Sequence, residues 1–266
     1  MLKIQEIKAR SILSKSKLPG IDFVINPYRG CQHACVYCYA CFMQKFDEHT
    51  ESWGEYVDIK INAPELLAPV LVKCRNRTVT LSSVCDPYQP VEVDYQLTRR
   101  LLSQLISVQP KLSVQTKSAL IVRDIDLLTQ FKDCSAGLTI VTMDENLRGE
   151  IEPGASTIAA RVEALRQLKT AGLKTYIFVG PILPYLTGWK QIVRQTREFA
   201  DYYLFDHTNP SGCIWSHIRD WLIVRRPALL KSYERVLFDS TDYWAQVSSA
   251  IKNFSEKEKI NYRIFF

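Results

Sequence analysis

No run of about 18 consecutive apolar residues occurs in the chain, so the sequence offers no membrane-spanning helix. The opening residues, Met1-Leu-Lys-Ile-Gln-Glu, lack the apolar centre of a secretory signal, and the expected location is the cytoplasm. Blocks of like charge are also missing. Lys and Arg number 34 against 28 Asp and Glu, a formal charge of +6 that is scattered and by itself names no nucleic-acid partner. Internal repeats and low-complexity tracts are absent, which removes solenoids and biased linkers from consideration. What is present is 266 residues, 47% hydrophobic and 23% charged, the balance of a folded soluble protein. Barrels of the α/β class use about 250 residues as one domain, so a single domain over 1–266 is expected. Eight cysteines without a secretory signal are expected as reduced thiols rather than a disulfide framework. Four of them, Cys31, Cys35, Cys38 and Cys41, fall within eleven residues, and such crowding suggests a metal.

Hydrophobic patterning predicts a strand–helix rhythm. Strands are expected at residues 21–26, 78–82, 112–116, 137–142, 174–179 and 202–206. Helices are expected at 63–74, 94–108, 124–131, from Ser156 as N-cap to just before Gly172, and at 188–200. Parallel neighbours need crossover helices, so the pattern predicts an α/β fold, a partial (β/α)6 TIM-like barrel of parallel strands. The barrel core covers about 20–210, and about 211–266 reads as a C-terminal helical appendage with no further clear strand-helix unit.

The loops after the strands form the active face of such barrels, and here they are chemically dense. They hold the cysteine cluster, Ser82 to Pro90 with Ser83, Cys85, Asp86, Tyr88 and Gln89, then Thr116-Lys117, Thr142 to Glu145, Gly180-Pro-Ile-Leu-Pro, and Asp206-His207-Thr-Asn209. Cys31-Gln-His-Ala-Cys35-Val-Tyr-Cys38 has the spacing C-x3-C-x2-C, which wraps three thiolates around one face of a small cluster. Three thiolates leave one iron of a four-iron cluster without a protein ligand. With Cys41 or His33 as a fourth ligand, the same residues would make a closed zinc site or a fully ligated electron-transfer cluster.

The cysteine spacing, with the aromatic Tyr37 before the third cysteine, resembles the radical S-adenosylmethionine (SAM) enzymes. The stretch Asn26-Pro-Tyr-Arg-Gly-Cys-Gln-His-Ala-Cys-Val-Tyr-Cys-Tyr-Ala40 resembles their spore photoproduct lyase-like, or DNA repair photolyase-like, branch. Asp86-Pro-Tyr-Gln-Pro-Val-Glu, Thr116-Lys-Ser, Val122-Arg-Asp-Ile-Asp, Glu152-Pro-Gly-Ala and Arg161-Val-Glu-Ala-Leu extend the likeness, in order, from about 20 to 190. The resemblance implies a single radical SAM domain in which Cys31, Cys35 and Cys38 hold a 4Fe-4S cluster. The open iron takes the amino and carboxylate groups of SAM, and Cys41 is a spectator. It also implies reductive cleavage of SAM to a 5′-deoxyadenosyl radical, with the protein positioning the reactants.

For the cofactor, the resemblance points to Lys117 at the SAM carboxylate or ribose, Thr139 as a small hydroxyl partner, and Tyr37 with the Tyr39 backbone near the adenine. Ser83 joins this set. Arg161 lies among Ile158, Val162, Leu165 and Leu168 on the apolar face of its helix, so its guanidinium needs a partner. A cofactor or substrate carboxylate and Glu152 are equal choices, and Glu152-Pro-Gly reads equally as a turn feeding the helix. Spore photoproduct lyase returns hydrogen through a cysteine three residues before an aspartate, where this chain has Ser83. Cys85, two positions further on and with Tyr88 nearby, is the remaining candidate for catalysis. Asp86, Gln89, His207 and Asn209 are candidates for substrate binding.

Three functions stay open. The first is a radical SAM enzyme with a DNA photolesion lyase-like reaction, its mild basicity serving backbone phosphates. The second applies the same chemistry to a protein, peptide or small metabolite. The third is a non-enzymatic iron-sulfur or zinc module. Both enzymatic readings require an electron from a reduced flavodoxin or ferredoxin, acidic partners for a basic surface.

Overall fold

A computed structural model describes residues 2–46, 49–239 and 241–266. Strands β1 (Lys3–Ile7), β2 (Leu13–Lys15), β3 (Phe23–Ile25), β4 (Tyr28–Gly30) and β5 (Tyr56–Lys60) occupy the first quarter of the chain. They are followed by β6 (Thr78–Leu81), β7 (Lys111–Thr116), β8 (Cys134–Thr139), β9 (Lys174–Ile182), β10 (Tyr202–His207) and β11 (Tyr262–Ile264). The main sheet has eight strands in the order β11-β10-β9-β8-β7-β6-β3-β2. Every neighbouring pair from β3 through β11 is parallel, and β2 alone runs antiparallel, on the edge beside β3.

The six expected strands are present in this order, joined by crossover helices. Alternation along them explains why. Val79, Leu81, Leu112, Val114, Ala136, Leu138, Ile177, Val179, Tyr203 and Phe205 are buried on one face, while Ser113, Gln115, Ser135, Phe178 and Leu204 are only half-buried on the other. Against the apolar face packs α1 (Ala63–Leu67); α2 (Glu92–Tyr95) instead sets Tyr95 beside Tyr28, Val57 and Ile59 of the strands β4 and β5, and α3 (Leu97–Leu105) and α4 (Ile125–Leu128) return to the apolar face. Further along come α5 (Glu145–Ile151), which buries Leu147 and Ile151 in the cluster around the cysteine loop, then α6 (Ile158–Thr170) and α7 (Trp189–Thr196) on the sheet. Each leucine that α3 and α6 bury there contributes about 1.5–3 kcal/mol.

Several expectations are corrected. The helix expected at 94–108 is broken at Gln96, which adopts a left-handed φ of 49°. The N-cap of α6 is Thr157, whose hydroxyl accepts from the Ala160 amide at 3.2 Å, and not Ser156. Ser156 instead ties the helix entry to the end of β7: its amide donates to the Lys117 carbonyl at 3.1 Å and its hydroxyl accepts from the Ala119 amide at 2.9 Å. The C-terminal region, expected as a helical appendage with no further clear strand-helix unit, also contributes β11, which extends the sheet beside β10. It divides by partner. Helix α8 (Cys213–Arg225) and α9 (Leu230–Phe238) cover the cysteine loop, whereas α10 (Tyr243–Lys257) and β11 join the core of the main sheet.

A second sheet, β1-β5-β4, was not anticipated. Its edge strand reads Lys-Ile-Gln-Glu-Ile and is mostly exposed, so it carries no buried alternation. This sheet aims the cysteines: β4 pairs antiparallel with β5 and ends at Gly30, directly before Cys31. Gly30 sits at φ 77°, and a Cβ there would collide with the Tyr56 carbonyl, so the turn into the loop requires glycine.

Candidate active site

After Gly30 the chain turns at successive cysteines. The Ala34 amide donates to the Cys31 carbonyl at 3.3 Å, that of Cys38 to the Cys35 carbonyl at 3.1 Å, and that of Cys41 to the Cys38 carbonyl at 3.4 Å. Two neighbouring loops clamp this loop. From the β6 side, Gln89 Oε1 accepts from the Gln32 amide at 2.9 Å, and Gln32 Oε1 accepts from the Val91 amide at 2.7 Å. From the α5–α6 side, the Val36 amide donates to the Ile151 carbonyl at 3.0 Å, and the Gly154 amide to the His33 carbonyl at 3.2 Å. The packing is close enough that a Cβ on Gly154 would strike the Gln32 carbonyl.

The loop leaves Cys31, Cys35 and Cys38 free, with Cys31 and Cys35 buried. Burial pushes the Cys35 thiol up to about 12, and burial, with Asp86 and the neighbouring thiols, raises that of Cys31. A bound cation reverses this penalty, because thiolates are the form that binds metal. Both candidates for a fourth ligand are engaged elsewhere. Cys41, expected as a reduced spectator, is joined to Cys213 at the start of α8 by a disulfide with a Cα–Cα distance of 6.2 Å. His33 is 2% exposed, with Nδ1 3.3 Å from Asp86. The remaining donor set is three free thiols in one clamped loop, the number that leaves one iron of a four-iron cluster open, and among the described residues they are not drawn together as ligands of a single metal ion.

Lys117 leaves the end of β7 toward this loop, with Nζ 5.6 Å from the centre of the Tyr37 ring. Burial works against its charge, yet Cys35, Glu152, Asp86 and Cys38 hold its pKa above the ordinary lysine value. Among the described residues Nζ has no hydrogen bond or ion pair, so its three donors are open to a ligand. Asp86 sets the lysine's backbone. Its carboxylate accepts from the Lys117 amide at 2.8 Å, the Thr116 hydroxyl at 2.6 Å and the Tyr88 amide at 2.9 Å. Burial opposes the Asp86 charge, but His33 and these donors lower its pKa to about 2. The oxygens expected at a substrate are thus engaged in joining the cysteine loop to β7.

Arg161 is 1% exposed, and its partner is Glu152, with Nη2 2.5 Å from Oε2. Nη1 donates to the Thr139 carbonyl at 2.9 Å and Nε to the Ser156 carbonyl at 2.9 Å, so the guanidinium is turned toward protein rather than toward a cofactor. Thr139 is buried and contributes its carbonyl to this network. Tyr37, expected beside the adenine, is buried and donates its hydroxyl to Glu152. Glu152 is therefore more than a turn residue. Burial opposes its charge, but Arg161 and then Lys117 hold its pKa below the ordinary value.

The loop after β6 brings Ser83 and Cys85 close to the cysteine loop. Tyr39 donates its hydroxyl to the Ser83 carbonyl, and Asn26 Oδ1 accepts from the amides of Ser83 at 2.8 Å and Val84 at 3.2 Å. Asn26 was not singled out from the sequence, although it opens the stretch that carries the resemblance. Strand alternation does not reach Cys85, because β6 ends at Leu81 and Ser82 has φ 63°. Its Sγ lies 3.4 Å from Ser82 Oγ, and burial pushes the thiol up to about 11.

The other candidates lie apart. Tyr88 is fully buried, with Asp124, Glu92 and Arg123 acting on its hydroxyl, so it is not presented at the mouth. Gln89 is fully buried and serves the clamp. His207 packs between Trp244 and Phe266, each ring centre 5.1 Å away. Asn209 accepts from the Ser211 amide at 2.9 Å in an exposed turn.

Comparison with known proteins gives a consistent picture. The family model for the radical SAM superfamily matches residues 25–193. An uncharacterized protein of Methanocaldococcus jannaschii is 39% identical over 257 residues, covering 97% of this chain and 95% of that protein. An uncharacterized protein of Mycobacterium tuberculosis is 30% identical over 197 residues, covering 70% of this chain and 58% of its own length. Among solved structures, spore photoproduct lyase complexed with dinucleoside spore photoproduct aligns with a TM-score of 0.63 at 16% identity. The match covers 89% of this chain and 80% of that one. Streptococcus suis SuiB bound to S-adenosylmethionine aligns at 0.59 with 13% identity, over 100% of this chain and 51% of that one. At these identities the structural likeness speaks for the fold.

Proposed function

The chain belongs to the radical SAM superfamily, and we propose that Cys31, Cys35 and Cys38 hold the 4Fe-4S cluster that this family uses together with SAM. The observation that carries the assignment is the donor set: three free thiols in one clamped loop, with the fourth cysteine tied to Cys213. When bound, the cluster supplies the electron that cleaves the SAM sulfonium and yields a 5′-deoxyadenosyl radical for hydrogen abstraction from a substrate.

The chain's own residues position the reactants. Lys117 offers its open ammonium to the SAM carboxylate, and Asp86 fixes the backbone from which it extends. Glu152 and Arg161 brace Tyr37, which precedes the third cysteine. Ser83, fastened by Tyr39 and Asn26, brings the β6 loop to the same site. Cys85 is the candidate to return a hydrogen atom to a product radical. That role needs an S–H bond, and a thiol held neutral by burial keeps its proton.

The substrate reading is a DNA photolesion lyase-like reaction, drawn from the resemblance of the motifs. A second reading, the same chemistry on a protein, peptide or small metabolite, is favoured by Ser83 standing where spore photoproduct lyase has its donor cysteine. Retention of duplex or single-stranded DNA on a filter separates them. The radical chemistry is tested by anaerobic reconstitution with iron and sulfide, dithionite reduction, and chromatographic detection of 5′-deoxyadenosine. Formation of this product that depends on all three cysteines supports the proposal. A verified, reduced four-iron cluster that yields none, with DNA and peptide substrates supplied, overturns it.

A further inference from the structure

We propose that the corner between α8 and α9 is the docking surface for an acidic one-electron carrier of the flavodoxin or ferredoxin class. The inference rests on the radical SAM reading, which requires an external electron, and adds where on this chain the electron enters. Residues 221–233, Trp-Leu-Ile-Val-Arg-Arg-Pro-Ala-Leu-Leu-Lys-Ser-Tyr, contain three cations and no acid. Their outer side is apolar as well as cationic: Val224 is 74% and Ile223 51% exposed, and Arg225, Pro227, Ala228 and Lys231 are exposed around them. Arg225 and Lys231 have no ion pair among the described residues, so their charge is directed at solvent.

The inner side of the same corner lies against the cysteine loop. Leu222 and Tyr233 are fully buried in an apolar cluster that also contains Cys31, Cys35 and Tyr37. Arg226 turns inward, with its ring-stacked guanidinium 5.8 Å from the Trp221 ring centre and 3.3 Å from Glu150. Glu150 precedes Ile151, whose carbonyl accepts from Val36, the residue after Cys35. Covalent bonds, one ion pair and one hydrogen bond thus link the exposed corner to the backbone beside Cys35. One helix, about 10 Å across, separates a docked protein from the loop.

An acidic carrier fits this surface by charge complementarity, which governs encounter rate more than affinity. Electron-transfer encounters are also small, typically below about 1,200 Å² of buried surface, so a corner with two exposed aliphatic side chains and two free cations is sufficient.

The test reverses the exposed charges in the full-length, cluster-loaded protein: Arg225→Glu and Lys231→Glu together. Both residues are on the surface and outside the proposed catalytic machinery. Binding of a reduced flavodoxin is measured by calorimetry at low and high salt, and cluster reduction by that flavodoxin is followed by absorbance. The expected result is an affinity loss of about tenfold or more at low salt that shrinks as salt is raised, with correspondingly slower reduction. Dithionite-driven 5′-deoxyadenosine formation by the variant should match the parent. Equal flavodoxin affinity and reduction rate in variant and parent overturn the docking site. So does a variant that keeps flavodoxin binding but loses duplex DNA, which assigns the corner to phosphate. The parent protein's dithionite reaction tests the radical SAM reading separately, because it bypasses the carrier.

Discussion

Replacing Arg161 with Met removes one partner of a buried ion pair and leaves the other. Arg161 is 1% exposed and Glu152 fully buried, so solvent does not soften the loss. The substitution deletes the 2.5 Å contact to Glu152 and the donors to the Thr139 and Ser156 carbonyls, while Tyr37 still donates to Glu152. Leaving one buried charge uncompensated costs about 3–5 kcal/mol, a large part of a total stability of about 5–15 kcal/mol. Urea unfolding of wild type, Arg161→Met, Glu152→Leu and the double variant measures this directly. The double variant removes both charges and should be about 1–3 kcal/mol more stable than the sum of the single losses implies. The pH dependence has a definite sign. The folded pKa of Glu152 is lowered, so the pair's contribution is full above the unfolded glutamate value of about 4.3 and is lost as pH falls toward the folded value. The difference between wild type and Arg161→Met should therefore shrink below about pH 4. A single-variant loss under about 1 kcal/mol, or strictly additive losses, would refute the reasoning.

Cys31→Ala, Cys35→Ala and Cys38→Ala should each abolish iron incorporation on reconstitution, whereas Cys41→Ala should retain iron and the response to SAM. Loss of iron in the Cys41 variant would favour the closed-site reading. Because the Cys41–Cys213 bond closes 172 residues, Cys213→Ser should lower stability by about 2–5 kcal/mol, read from the urea midpoint. Asp86→Asn should cost about 1–3 kcal/mol and loosen Lys117. With a folded pKa of about 2, Asp86 contributes fully above about pH 3.9 and loses that contribution as pH falls through 2, so wild type and variant should converge only in strong acid. Cys85→Ala should change product or turnover while 5′-deoxyadenosine still forms, and an unaltered product profile removes Cys85 from the mechanism.

The six central strands could be read from the chain because burial on one face of each imposes a period of two, as in Leu112, Val114 and Thr116. Strands β1, β4 and β5 could not, since Lys3–Ile7 is largely exposed and Tyr28–Gly30 is only three residues long. The same division holds at the site. The cysteine spacing is local and readable. Arg161 on an apolar helix face signals a buried guanidinium in need of a partner, but the choice of Glu152 depends on how the α5–α6 loop folds back over the helix entry. Cys41 was visibly crowded with the other three, yet its partner stands 172 residues away, a separation at which sequence offers no pairing rule. For Tyr88 and His207 the sequence offers only a position at a strand end or in the loop after it. A loop at the mouth still has an inner side, and Tyr88 is buried in it, whereas His207 ends β10 half-buried against Trp244 and Phe266.

The C-terminal helices then have a physical reason to be there. A three-cysteine loop with Cys31 and Cys35 buried needs apolar cover on the side away from the mouth, because exposed backbone turns at each cysteine would otherwise be open to water and oxygen. Ile214, Ile218 and Leu222, spaced by four along α8, supply that cover as one buried stripe against Tyr37, Ala40 and Cys41. The disulfide at Cys213 fixes one end of the stripe and the Arg226–Glu150 pair the other. A helix held at both ends against the loop would shield a cluster bound there on its inner face, while its outer corner is part of the surface proposed for docking. On this reading cover and access belong to opposite sides of the α8–α9 corner, and shortening α8 should damage both, whereas reversing Arg225 and Lys231 should affect access alone.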